Sequence, residues 1–179
     1  MAEPKVPPPG ALVSAVMVGA DAPWEEVLDA LSQEWGKVAM EGPGYPFIHS
    51  SYYQEEMGVE LEKRFYLWSK PLPQDGLPKA KLFSNSVERR FSRPDGTRRV
   101  NVDPGLLTLH SLVLATAKGY SHRVYLGEGI FAEVTLLFRD GEFRPLPWTY
   151  PDYAQEEVRR FMMRARGWLK RRLYEHDWR

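Results

Sequence analysis

The chain has 179 residues and no cysteine. That excludes a disulfide scaffold, a thiolate zinc site, an iron–sulfur cluster on cysteine ligands and a cysteine nucleophile. Net charge is also missing, because 24 Lys and Arg are balanced by 24 Asp and Glu. No global positive field therefore draws in nucleic acid or anionic lipid, although local patches stay open. No apolar run approaches the roughly 18 residues of a membrane span. The sequence has no GxxxxGK[ST] phosphate loop, no guanine-reading NKxD and no zinc-binding HExxH.

What is present reads as one folded unit. Hydrophobic residues make up 43% and charged residues 27%, which supports neither disorder nor a fibrous class. Two separate cores would each be small at this length, so residues 11–179 are expected to form a single α+β domain. Residues 1–10 hold four of the fifteen prolines and are expected to be a disordered lead-in of PPII character. Ala11–Ala20, with Lys5 upstream, imitates a short signal peptide. The preceding prolines and the amphipathic stretch that follows argue instead for a buried strand in a cytoplasmic protein with no membrane partner.

The spacing of apolar residues sets out the elements. Leu12–Val18 reads as a strand buried on both faces. Asp21 and Pro23 open a helix carrying Trp24, Val27, Leu28, Leu31 and Trp35 up to Gly36. Lys37–Glu41 follows as a short strand, Gly42–Pro46 as loop and Tyr52–Met57 as a helical turn or two. Glu60–Trp68 alternates as a strand, with Leu61, Lys63, Phe65 and Leu67 on one face. Asp75 is placed to cap a helix over Leu77–Phe91 that turns Leu82, Phe83 and Val87 inward, and a Pro94–Gly96 turn leads to a strand over Arg98–Val102. That β-α-β-β-α-β order is the order of a split βαβ, ferredoxin-like, first half. Asp103-Pro104-Gly105 is expected to break the strand, and Leu106–Ala117 to form a helix on the spacing of Leu106, Leu109, His110, Val113 and Ala117. An antiparallel meander over His122–Leu126, Ile130–Phe138 and Glu142–Leu146 follows, joined at Gly127–Gly129 and Asp140–Gly141. A C-terminal amphipathic helix over Gln155–Tyr174 closes the chain with Val158, Phe161, Met162, Ala165, Leu169 and Leu173 on one stripe.

The stretches VNVDPGLLTL, KGYSHRVYLGEGIFAEVTL and RPLPWTYPDY, with SSYYQEEMG upstream, resemble a prokaryotic family catalogued as domain of unknown function 4416. The resemblance runs from Leu12 to about Tyr174 and is most specific between Asn101 and Tyr153. It implies a family and a set of motif positions, but no reaction. Ahead of the paired tyrosines the family pattern usually has an acidic or Thr-Asp stretch, where this chain has Ile48-His49-Ser50-Ser51. Some members carry the label of GTP-binding protein, which the missing phosphate and guanine motifs do not support here.

The residues richest in chemistry are Asp103, Lys118, Tyr120, Ser121, His122, Arg123 and Glu133. Glu133 is the oddest, a carboxylate between Phe131 and Leu137 in an apolar strand, where it needs a cation or donor. Centring the hairpin on Glu128 sets Arg123 opposite Glu133 and Tyr125 opposite Phe131, a register that one step would undo. Two alternatives stand. Arg123 and Glu133 form a plain cross-strand ion pair. Or the group is a site in which His122, Glu133 and Asp103 do acid–base work while Arg123 and Lys118 hold a small anionic metabolite or nucleotide. Asp103, His122 and Glu133 as a metal set has less support, and no cofactor is named by the residues.

Trp148, Tyr150 and Asp152 belong to a proline-kinked connector. Its aromatics either cover the core, with Asp152 capping the last helix, or orient a ligand ring. The alternative function is a noncatalytic RNA- or protein-binding module. It would use Arg89, Arg90, Arg93, Arg98 and Arg99 around the Pro94–Gly96 turn, or Arg159, Arg160, Arg164, Arg166, Lys170, Arg171 and Arg172 on the last helix. Nucleic acid is the less favoured partner, since charge runs are usually solvated faces. Glu60-Leu61-Glu62-Lys63-Arg64 mimics the strand of triphosphate-tunnel enzymes, but one pentapeptide carries little. Oligomeric state is not legible.

Overall fold

The computed structural model describes residues 2–48, 53, 56–58 and 60–175. Residues 2–9 carry no regular secondary structure and lead into β1 (Gly10–Gly19). After β1 come α1 (Trp24–Trp35), β2 (Val38–Pro46), β3 (Leu61–Leu72), α2 (Leu77–Arg90), β4 (Val100–Leu107) and β5 (Ser111–Thr116). The chain ends with β6 (Val124–Gly127), β7 (Ile130–Arg139), β8 (Glu142–Pro145), a single turn α3 (Pro151–Ala154) and α4 (Glu156–Glu175). All the strands join one antiparallel sheet in the order β2-β3-β1-β4-β5-β7-β6, with β8 also on β7. The fold is therefore α+β, and the meander of the second half continues the same sheet as the first.

β1 lies inside the sheet between β3 and β4, and its ten residues are all buried, as expected of a strand without a polar face. Leu12, Val16 and Val18 face α1 and α2, while Ala11, Val13 and Ala15 face α4. Trp68 Nε1 donates to Ser14 Oγ at 2.9 Å, so two buried polar groups on neighbouring strands satisfy each other. On the far face Phe65 and Leu67 meet Val158, Phe161, Met162, Ala165 and Leu169, the apolar stripe read from the sequence of the last helix. Fully burying a side chain such as Phe65 contributes about 1.5–3 kcal/mol.

Several elements differ from expectation. Gly42–Pro46 is strand rather than loop. β2 is an edge strand paired only with β3, where Pro43 and Pro46 are tolerated, and a side chain at Gly42 would come within 2.8 Å of the Phe161 ring. Leu82 points outward, and α2 starts at Gly76 without a side-chain cap from Asp75. Asp103-Pro104-Gly105 does not break β4, which continues to Leu107. Leu106–Ala117 is not a helix but the end of β4, a turn and β5, and His110 is exposed on that turn. The turn expected over Tyr52–Met57 falls largely outside the described residues, and so do His49, Ser50 and Ser51. Among the described residues no helix is long and apolar enough to cross a membrane.

Candidate functional site

β4 and β5 pair only from Gly105 to Leu107, against Leu114 to Leu112. N-terminal to Gly105, β4 has an open edge. Backbone groups left there need partners, and α2 supplies them with side chains. Glu88 Oε1 accepts from the Val102 N–H at 2.8 Å, while Lys81 Nζ and Ser84 Oγ donate to the Val102 carbonyl at 2.9 and 3.2 Å. Neighbouring residues of a strand alternate sides, so the position two further along, Pro104, also turns its missing N–H to the open edge, where it costs no ladder bond.

The strands part to form a cavity of about 420 Å³, within the range of small-molecule pockets. β4 contributes Asn101 and Asp103, and α2 contributes Lys81, Asn85 and Glu88. Lys63 comes from β3, Glu133 from β7, Lys118 from beyond β5, and Tyr150, Asp152 and Tyr153 from the connector and α3.

Three linked groups of charges fill the wall. Lys63, 6% exposed, pairs with the buried carboxylate of Asp152 and lies 5.1 Å from the Phe47 ring centroid and 5.3 Å from that of Tyr153. Asp152 is thus held in an ion pair, within the single turn α3 that precedes the last helix. Lys81 Nζ stands 3.3 Å from Asp103 Oδ1 and 3.9 Å from Glu88 Oε1. Asn101 Nδ2 donates to Asp103 Oδ2 at 2.8 Å and Asn101 Oδ1 accepts from Arg98 at 3.1 Å, and Arg98 in turn holds both oxygens of Glu56 at 2.9 and 2.6 Å.

Environment pushes the two carboxyls beside Lys81 in opposite directions. At Asp103 burial works upward, but the Lys81 and Lys63 charges and the hydrogen bonds from Asn101 and Lys81 prevail, holding it below its ordinary value. At Glu88 burial prevails over Lys81, the Val102 N–H and Arg98, and its carboxyl is raised. The Tyr150 phenol is raised by burial and by the Glu133 charge, against Arg123, and burial raises Tyr153 well above the usual phenol range.

The Tyr153 hydroxyl is buried and has no hydrogen-bond partner among the described residues, and the Tyr45 hydroxyl shares that condition. Buried hydroxyls nearly always find partners. Tyr153 lines the cavity, so an oxygen held there, of a ligand or a water, would satisfy it.

Glu133 is 2% exposed. Its Oε2 accepts from Arg123 Nε at 2.9 Å and lies 2.9 Å from His122 Nε2. The hairpin register is the expected one, with Tyr125 opposite Phe131 and Val124 opposite Ala132. Arg123 also donates to the Lys118 carbonyl at 2.8 Å and to the Tyr150 hydroxyl at 2.9 Å, while His122 stacks on Trp148 with centroids 5.0 Å apart. Trp148 Nε1 and Thr149 Oγ1 donate to the carbonyls of Val134 and Thr135. The connector is thereby pinned along β7, with Tyr150 above the cavity.

Of the residues singled out from sequence, Asp103, Lys118, Glu133, Tyr150 and Asp152 reach the cavity wall. His122, Arg123 and Trp148 stand behind Glu133 and hold the wall without lining it. Among the described residues no three His, Asp or Glu side chains gather as a metal site, and His122 Nε2 faces Glu133 rather than Asp103. Sequence reasoning passed over Lys63, Lys81, Glu88, Arg98, Asn101 and Tyr153. A signal did exist for three of them: Lys63 sits on the apolar face of an alternating strand, and Lys81, Ser84 and Glu88 recur at i, i+3, i+7 among buried residues of α2.

Part of each arginine-rich face is committed to the fold. Arg93 bridges Asp21, the Glu56 and Met57 carbonyls and Thr97, and Arg99 donates to the Phe91 and Asp21 carbonyls. On the last helix Arg159 donates to the Ala154 and Phe143 carbonyls, Arg160 pairs with Glu156, and Arg166 lies 3.6 Å over the Phe138 ring while donating to the Leu109 carbonyl.

A family model described as "Domain of unknown function (DUF4416)" matches residues 8–168. No curated protein and no solved structure matches the chain.

Proposed function

Because the chain belongs to the domain of unknown function 4416 family, which brings no reaction with it, we propose from geometry that it binds a small polar metabolite bearing an anionic group in the cavity between β4 and β5. The observation that carries this reading is Tyr153, whose hydroxyl has no partner among the described residues, on the same cavity wall as the buried Lys63 and Lys81. Donors that a ligand oxygen can satisfy are what such a wall offers. The stretches that carry the family resemblance supply Asn101, Asp103, Lys118, Glu133, Tyr150, Asp152 and Tyr153, so they converge on this one place.

A nucleotide triphosphate fits less well than a single carboxylate or phosphate. The cations already have carboxylate neighbours, and no glycine-rich loop offers a run of N–H groups. Acid–base work on the ligand would fall to Asp103 and Glu133, with His122 acting through Glu133 rather than on the ligand. RNA or protein binding through the arginine faces is the weaker alternative, since Arg93, Arg99, Arg159 and Arg166 already hold backbone carbonyls.

The strand order β2-β3-β1-β4 with antiparallel neighbours supports reading the first half as a split βαβ of ferredoxin-like type. A cytoplasmic location belongs to the same reading. Ala11–Gly19 lies in an inner strand of the sheet, which no signal peptide that is cleaved away could supply.

A thermal-shift screen over nucleotides, phosphorylated metabolites and carboxylates tests the proposal. At least one anion is expected to raise the melting temperature, with a smaller rise in Arg123→Ala, which frees Tyr150 from its anchor. No shift with any of them overturns it.

A further inference from the structure

The charge balance of the wall narrows the ligand. Among the described residues four cationic side chains (Lys63, Lys81, Arg98 and Lys118) and four carboxylates (Glu88, Asp103, Glu133 and Asp152) line the cavity. A ligand with strong net charge would be desolvated there without a surplus of opposite charge to receive it. One carrying both signs adds a partner for each kind of group and leaves the balance intact.

The two ends can be assigned. Asp103 is the most open carboxylate, with 29% of its side chain exposed, whereas Asp152 has 5% and Glu133 2%. Oxygens of Asp103 are therefore reachable by a donor from the ligand. Among the described residues the Lys63 ammonium, with three N–H groups, has one hydrogen-bond acceptor, Asp152, and Tyr153, whose ring centroid lies 5.3 Å from it, has a hydroxyl with none. Lys63 and Asp103 line the same cavity, so one small ligand can reach both.

Resting on the binding reading above, we infer that the ligand is a zwitterion bearing an ammonium and a carboxylate, its carboxylate on Lys63 Nζ and the Tyr153 hydroxyl and its ammonium on Asp103. The aromatic rings of Tyr53, Tyr150 and Tyr153 around the cavity give the ammonium apolar walls with electron-rich faces.

The test uses the full chain and a panel of free L-amino acids, each beside its N-acetyl and its carboxamide derivative, followed by thermal shift and calorimetric titration. At least one free amino acid is expected to bind, with both derivatives weaker by about tenfold or more. In Asp103→Asn the preference for the free amine over the N-acetyl form is expected to vanish. Equal binding of the N-acetyl form, or binding of simple carboxylates and phosphates with no amino acid bound, overturns the zwitterion and leaves the anion reading standing. Silence from the amino acids and from every anion alike overturns both.

Discussion

Lys63→Met is expected to cost about 3–5 kcal/mol of stability, the usual penalty for removing one member of a buried ion pair. The Lys63 and Asp152 side chains are 8% and 5% exposed, so the remaining carboxylate would stay out of water with no cation. Met keeps most of the packing volume against Phe47, Phe65 and Tyr153, which isolates the electrostatic part. For a domain of this size the loss corresponds to a fall of roughly 6–20 °C in melting temperature. Adding Asp152→Asn to Lys63→Met should recover most of it. A double-mutant cycle by urea denaturation checks this. Strictly additive costs would mean that the pair does not act as a unit.

The Glu133→Ala variant should lose about 3 kcal/mol or more. Arg123 and Glu133 have 11% and 2% of their side chains exposed, and the deletion leaves Arg123 Nε and the His122 ring without their acceptor. Arg123 would keep the Lys118 carbonyl and Tyr150 hydroxyl, so the fold should survive with a loosened connector. Glu133→Gln retains an acceptor oxygen and should fall between the wild type and Glu133→Ala. Urea melts of the three proteins give the ranking. A cost below about 1 kcal/mol for Glu133→Ala would mark the pair as an ordinary surface bridge.

Legibility followed periodicity. β1, α1, the hairpins and the stripe of α4 could be read because each keeps one clear period or sits between clear turns. The Arg123–Glu133 pair was legible because a short glycine-flanked turn fixes register. β5 was not, since Leu112 and Leu114 are buried on one face and Val113 packs on the other, and a strand apolar on both faces shows the same spacing as a buried helix. Gly42–Pro46 failed for the opposite reason: its glycine and prolines signal a turn, but an edge strand under Phe161 accommodates them. The cavity itself depends on where β4 and β5 part, a long-range fact that no local window holds. Lys81 and Glu88 were therefore passed over, although they complete the edge of a strand.

Tyr153→Phe is the most direct test of a ligand cavity at this position. Removing a buried hydroxyl without a partner should leave the ligand-free protein as stable as wild type or slightly more so, because an unsatisfied buried group costs about 1–3 kcal/mol. The same change should shrink or abolish the melting-temperature rise produced by whichever compound stabilises the wild type. A ligand-free protein that is clearly destabilised, together with an undiminished ligand response, would contradict the account.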